Sequence, residues 1–351
     1  MSPALVKKPI LEAEDVGLKT ISIKALMDGE PKAHEDLLAA GVDSGFFYLD
    51  CRDHPSADFL KRIREIHDAA MDWYDEPQSA KDKWAADHDH VKGEEIVCGY
   101  KPAGVHTGPV EGKRDGFEGT LLPLDQPMPA PKAIQEKCQV FRDTMRELGD
   151  MGRVVFESLS KSIHLEGDRY LPGCHRQPES STTALGMLKY VPWTPETDKV
   201  GHIAHTDTGS LSMVFSDVGG LQVLTPRERE WVYCTPKKGH AVCNLGDCVE
   251  FLSDGKLRSS LHRVVPHPNE KDRVKLTLVY LMRPETDAIF TDREGTKWKS
   301  VDWHNMKNRM LWEELEKQKQ NMVVTGQKGY MGLWDPADHM DGNITMVDLK
   351  S

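Results

Sequence analysis

The sequence predicts a mainly β protein with flanking helices: a double-stranded β-helix (jelly roll) core, a helical N-terminal region before it and a C-terminal helix after it. Two observations predict this. From Thr182 onward eight short runs follow one another (ALGMLKYV, SLSMVF, LQVL, WVYC, HAVCNL, VEFL, HRVV and LTLVYLM), each bounded by Gly, Pro, Asp or charged residues. On both sides of them apolar residues recur instead at the three-to-four spacing of a helix. The implied division is an N-terminal region of helices, edge strands and loops over 1–130, a supporting helix and connector over 131–181, the jelly-roll core over 182–290, and a helix with a tail over 291–351.

In chain order, residues 1–20 read as a loosely held entry segment, and Thr20–Leu26 as a short strand. KAHEDLLAAGVDSG reads as a helix with Gly41 and Gly45 near its end, and GFFYLD (Gly45–Asp50) as a buried strand. Ala57–Asp75 carries Phe59, Leu60, Ile63, Ile66, Ala70 and Trp73 on one helical face. Lys81–Gly119 is charged and punctuated by Gly and Pro, hence mostly loop, and Pro123–Pro131 is a Pro-rich connector. Ile134–Leu165 is a long amphipathic helix presenting Val140, Met145, Leu148, Val154, Val155, Leu159 and Ile163, placed behind the barrel. After Pro284 a helix returns over Val301–Lys319, and Asn321–Ser351 reads either as a lid over the barrel mouth or as a loosely held end.

Composition excludes several classes. With 45 Lys+Arg against 56 Asp+Glu the net charge is −11, which argues against nucleic acid or an anionic membrane as partner. No run of about 18 apolar residues predicts a membrane span, and no apolar segment at the N-terminus predicts secretion. Seven dispersed cysteines without a CxxC pair suit reduced thiols, so a cytoplasmic location is expected. Nothing in the sequence specifies an oligomer.

The chemistry centres on His202–Val223, HIAHTDTGSLSMVFSDVGGLQV. His205 and Asp207 are two residues apart, so in a strand they share one face. An imidazole beside a carboxylate is two-thirds of the 2-His-1-carboxylate set that leaves half of an Fe(II) coordination sphere open. His262, in SSLHRVV, is the candidate third ligand. Zn(II) would accept the same donors, but no HExxH helix accompanies them. His202, three residues before His205, is expected on the opposite face and is not assigned as a ligand. His67, His88, His90, His106, His164, His175, His240, His267, His304 and His339 belong to no constellation. Asn244 and Asp247 in NLGD are expected to serve a turn. No GxGxxG or P-loop is present.

HTDTG is followed in order by GGLQV (Gly219–Val223), Trp231, NLGD (Asn244–Asp247), LSDGKLRSSLHRVV (Leu252–Val265) and LVYLMRP (Leu278–Pro284). This series resembles the isopenicillin N synthase-like branch of the 2-oxoglutarate/Fe(II)-dependent dioxygenases, closely over 185–284 and more loosely over the N-terminal half. The resemblance implies an Fe(II) held by His205, Asp207 and His262, with 2-oxoglutarate as co-substrate and O2 as oxidant. It places GYKPAG (Gly99–Gly104) and RDGFEG (Arg114–Gly119) near the barrel mouth, with Tyr100 and Phe117 as candidate pocket residues. The family normally holds the distal carboxylate of 2-oxoglutarate with Arg-x-Ser ten residues before the closing Pro, counted inclusively. Counting back from Pro284, this sequence has Lys275 and Thr277 there, a departure that keeps the charge but loses the bidentate fork of Arg. Arg273, two residues earlier on the same parity, is the competing cation. Tyr190 matches the position of a tyrosine beside the co-substrate.

The expected function is an Fe(II)/2-oxoglutarate-dependent oxygenase of specialised metabolism that hydroxylates, desaturates or cyclises a small organic molecule, releasing succinate and CO2. Lys-x-Thr keeps open an Fe(II) oxidase on the same fold that does not use 2-oxoglutarate. A non-catalytic jelly-roll binding protein is the remaining rival, and the complete ligand set argues against it. A concave barrel mouth implies a small-molecule substrate.

Overall fold

The computed structural model describes residues 5–6, 17–85, 91–92, 95–96, 99–123, 131–176, 180–227, 229–336 and 345–346. Its layering follows from period-two alternation. Along Lys275–Met282, Leu276, Leu278, Tyr280 and Met282 join the main hydrophobic core, while Lys275, Thr277, Val279 and Leu281 line an internal cavity. Leu211–Ser216 repeats the pattern, with Leu211, Met213 and Phe215 toward the core and Ser212 and Val214 toward the cavity.

Two sheets form the barrel. In chain order the strands are β1 (Thr20–Ser22), β2 (Phe46–Asp50), β3 (Tyr100–Lys101), β4 (Phe117–Pro123), β5 (Ala184–Tyr190), β6 (His202–His205), β7 (Leu211–Ser216), β8 (Leu221–Leu224), β9 (Trp231–Tyr233), β10 (His240–Leu245), β11 (His262–Val264) and β12 (Lys275–Met282). The larger sheet has the order β1-β2-β10-β7-β12-β5-β4-β3 and the smaller one β9-β8-β11-β6. Only the β1–β2 contact among these pairs is parallel. The smaller sheet covers one end of the larger through Phe46, Tyr48, Val242, Leu221, Val223 and Val232. The jelly roll with flanking helices is the predicted fold.

Helices α1 (Pro31–Asp43), α2 (Phe59–Tyr74) and α3 (Cys138–Ser162) cover the outer face of the larger sheet. The α3 positions Phe141, Met145, Leu148, Val155 and Leu159 recur every three to seven residues and are all buried. At Gly152 a Cβ would lie 2.3 Å from Met282 Sδ, so glycine lets α3 settle onto β12.

Three expectations change. VEFL is not a strand but part of α4 (Asp247–Leu252), because Asp247 and Glu250 occupy a first turn that favours acidic residues. Thr20–Leu26 is strand only to Ser22, whose side chain accepts from Ala25 N–H and starts a short helix. Lys81–Gly119 is less loop-like than expected, since β3 and the start of β4 lie within it. The C-terminal helix runs Ser300–Trp312 (α5) and is followed by a separate turn of helix at Leu315–Gln318. Most of the entry segment and the tail beyond residue 336 lie outside the described residues, as do His88, His90 and His339. Among the described residues no helix is long and apolar enough to cross a membrane.

Phe156 of α3 is fully buried in the main core, its ring 4.5 Å from that of His175. Phe156→Ala is expected to lower the unfolding free energy by about 3–5 kcal/mol, read as a reduced urea midpoint with an unchanged slope.

Candidate active site

His205 closes β6 and His262 opens β11, and the two are direct antiparallel partners. Cross-strand neighbours point to the same face, so their rings stand 4.4 Å apart. Asp207, just past the end of β6, brings Oδ1 to 3.6 Å from His205 Nε2 and 3.7 Å from His262 Nε2. One ligand atom from each side chain lies within 4.8 Å of the others.

The outer atoms of all three groups are engaged elsewhere. His205 Nδ1 bonds the carbonyl of Ile203 at 2.8 Å and His262 Nδ1 that of Ser260 at 3.1 Å. Donation there leaves the Nε2 lone pairs turned inward. Asp207 Oδ2 accepts from Ser212 Oγ at 2.5 Å and Asn244 Nδ2 at 2.7 Å. Burial pushes the Asp207 carboxyl up, but His262, His205 and Asn244 outweigh it and hold the group well below the usual carboxylate range. Burial and the neighbouring His205 push His262 down to about 4, so its imidazole is neutral near pH 7. Two imidazoles and one carboxylate, without thiolate, are a donor set that suits Fe(II).

These groups sit on the wall of a cavity of about 240 Å³. At one side Lys275 Nζ donates to Ser216 Oγ at 2.9 Å and to the Val218 carbonyl at 2.5 Å. Burial pushes its ammonium down to about 7. Thr277 Oγ1 is buried and meets no partner among the described residues, an orphaned group of the kind a bound polar ligand satisfies. Tyr190 is the direct cross-strand partner of Lys275 and also lines the cavity. Arg273 lies in the turn before β12, half exposed and ion-paired with Glu270, and does not line this cavity.

Other sequence expectations are corrected. His202 faces the site rather than away from it. Val264 pairs with His202 while His262 pairs with His205, so two steps on β11 oppose three on β6. This bulge returns His202 to the same face, with its ring 4.4 Å from that of His205. Asn244 holds Asp207, and Asp247 forms a buried ion pair with Lys307, so neither merely serves a turn. Phe117 lines the cavity but Tyr100 does not: in β3 adjacent residues face opposite sides, and Tyr100 packs on Trp73 and donates to Glu118. His106 and His304 also reach the cavity wall, together with Asn308 and Trp312 of α5. Nothing in their local sequence marks them, because the approach of α5 to the barrel mouth is a tertiary event.

The comparisons agree with this geometry. Residues 182–284 match the model of the 2OG-Fe(II) oxygenase superfamily. The 2-oxoglutarate-dependent dioxygenase gloE of Glarea lozoyensis is 30% identical over 321 residues, covering 90% of this chain and 94% of that protein. The 2-oxoglutarate-dependent dioxygenase ecdG of Aspergillus rugulosus is 30% identical over 304 residues, covering 82% and 87%. In fold, the chain is similar to a full-length Neurospora crassa protein in complex with alpha-KG and thymine, with a TM-score of 0.69 at 18% identity over 83% of this chain and 96% of that one. The extent of the fungal matches, on a jelly roll that gathers two imidazoles and a carboxylate, identifies the chain as a member of the 2-oxoglutarate/Fe(II)-dependent dioxygenases, an oxidoreductase that uses Fe(II), 2-oxoglutarate and O2.

Proposed function

We propose that His205, Asp207 and His262 hold the Fe(II), that Lys275 and Thr277 receive the distal carboxylate of 2-oxoglutarate beside Tyr190, and that the remaining cavity takes a small organic molecule, which is hydroxylated. The observation that carries this reading is the inward set of Nε2, Nε2 and Oδ1, each with its outer atom already bonded, on the wall of a cavity that also holds a buried Lys and an orphaned Thr hydroxyl. Bound iron supplies the dioxygen chemistry that couples decarboxylation of 2-oxoglutarate, to succinate and CO2, with oxidation of the substrate. The protein's own share is placement. Ser212 and Asn244 keep Asp207 turned inward. Lys275 meets the co-substrate as a point charge, and the Thr277 hydroxyl donates beside it. Phe117, His202 and Trp312 form an aromatic wall for the substrate. The Neurospora crassa complex with thymine supports a small-molecule substrate for this fold. Free cysteines throughout the described residues support a reducing, cytoplasmic setting, and the net charge of −11 supports a partner list without nucleic acid.

His205→Ala is expected to lose both stoichiometric Fe(II) binding and succinate formation, and succinate formation at the wild-type rate would refute the ligand set. Asn244→Ala is expected to weaken Fe(II) binding roughly 10–100-fold, measured by anaerobic equilibrium dialysis.

Lys275 sets a pH dependence. Its pKa near 7 means that binding a dianionic keto acid above that pH requires proton uptake. The apparent dissociation constant of 2-oxoglutarate should therefore rise between pH 7 and 8.5, by up to about tenfold per unit. Anaerobic titration of the Fe(II) protein, followed by the visible charge-transfer band, measures it. Lys275→Arg should flatten the profile because guanidinium stays charged, Lys275→Ala should weaken binding at every pH, and Arg273→Ala should change little. A flat wild-type profile, or weakening by Arg273→Ala instead, moves the carboxylate off Lys275.

A further inference from the structure

Lys307 is fully enclosed, although it sits on α5, the last long helix of the described chain. Its Nζ donates to Asp247 Oδ2 at 2.5 Å and to Thr206 Oγ1 at 2.6 Å. A buried ion pair by itself contributes little to stability, since desolvation offsets the attraction. What distinguishes this one is where its partners lie. Thr206 stands between His205 and Asp207. The backbone N–H of Asp247 donates to the carbonyl of Asp207 at 2.8 Å. Asp247 Oδ1 accepts from Ser259 Oγ at 3.0 Å, and the next residue, Ser260, provides the carbonyl that orients His262. The approach is close enough to exclude a side chain at Gly246, where a Cβ would lie 2.3 Å from the carbonyl oxygen of Gly209. One ammonium thus ties together both segments that carry the three donors. The helix that supplies it also turns His304, Asn308 and Trp312 toward the cavity.

We propose that Lys307 is a positioning residue for the metal centre: bridged to Thr206 and Asp247, it holds the His205–Asp207 and Ser259–His262 segments in register and couples them to the helix that walls the substrate cavity. The proposal rests on the ligand assignment made above. It implies that Lys307 acts on metal affinity and coordination geometry beyond any effect on folding.

Three variants separate these roles. Lys307→Met leaves Asp247 buried and unpaired, so both stability and metal binding should fall. Lys307→Met combined with Asp247→Asn removes both charges while keeping an acceptor for Ser259. Thr206→Val removes the bridge to the ligand segment, together with a long 3.5 Å bond from Thr206 Oγ1 to the Val324 carbonyl, and leaves the ion pair intact. Thermal unfolding of metal-free protein, anaerobic Fe(II) binding, and the visible spectrum of the Co(II)-substituted protein are read on each. The charge-neutral double variant is expected to recover most of the unfolding midpoint lost in Lys307→Met yet to bind Fe(II) at least tenfold more weakly than wild type, with altered Co(II) bands. Thr206→Val should show the same loss of affinity at a near wild-type midpoint. Wild-type affinity and Co(II) spectrum in Thr206→Val overturn the proposal and leave Lys307 a structural strut, even where the double variant does not fold. Retention of iron by His205→Ala would instead count against the ligand assignment, so the two failures are distinct.

Discussion

His205 and His262 face each other across two antiparallel strands of the smaller sheet, and the rest of the site is arranged around that pairing. A one-residue slip in a strand turns every side chain to the other face. The register of β6 against β11 therefore brings two imidazoles that are 57 positions apart in sequence to 4.4 Å apart in space. Asp207 completes the set from just beyond β6, with its orientation fixed by Ser212 and Asn244 on the adjacent strands β7 and β10 of the larger sheet. The site is thus a junction of both sheets, held by bonds that each satisfy one atom of a donor and leave the other free.

The same economy governs β12. One face of this strand packs on α3 and anchors the main core, and the other presents Lys275 and Thr277 to the cavity. Core and cavity share a backbone here but not a surface. Burial of Lys275 has a chemical consequence, since an ammonium taken out of water is easier to deprotonate, and its charge becomes sensitive to pH near neutrality. Arginine resists that change, so Lys-x-Thr where the family usually has Arg-x-Ser makes the proposed co-substrate contact sensitive to pH.

Much of this was legible in the chain. The short alternating runs after Thr182 suited a jelly roll, and His-x-Asp with a distant His in HRVV pointed to the chemistry once the ordered series around them resembled the dioxygenase family, since the pair alone is a weak signal. Counting from Pro284 favoured Lys275 but left Arg273 open, and the cavity receives Lys275 because β12 begins there, leaving Arg273 in an exposed turn. His202 was misplaced because a regular strand was assumed, and a bulge is invisible until the partner strand is known. VEFL was misread because a four-residue apolar run does not reveal its period.

The sequence by itself determined the fold class and the donor set, and the family resemblance put forward Lys275 as a candidate cation, since these rest on local patterns and on their order along the chain. Tertiary structure alone decided which groups support them. Asn244 became the partner of Asp207, Lys307 was drawn against Thr206 and Asp247, and α5 was laid against the cavity. These contacts join residues 37 to 101 positions apart, and no local propensity encodes them. They follow from the closure of two sheets over one cavity, which leaves a buried carboxylate or ammonium no water to pair with and so requires that each find a partner in the protein.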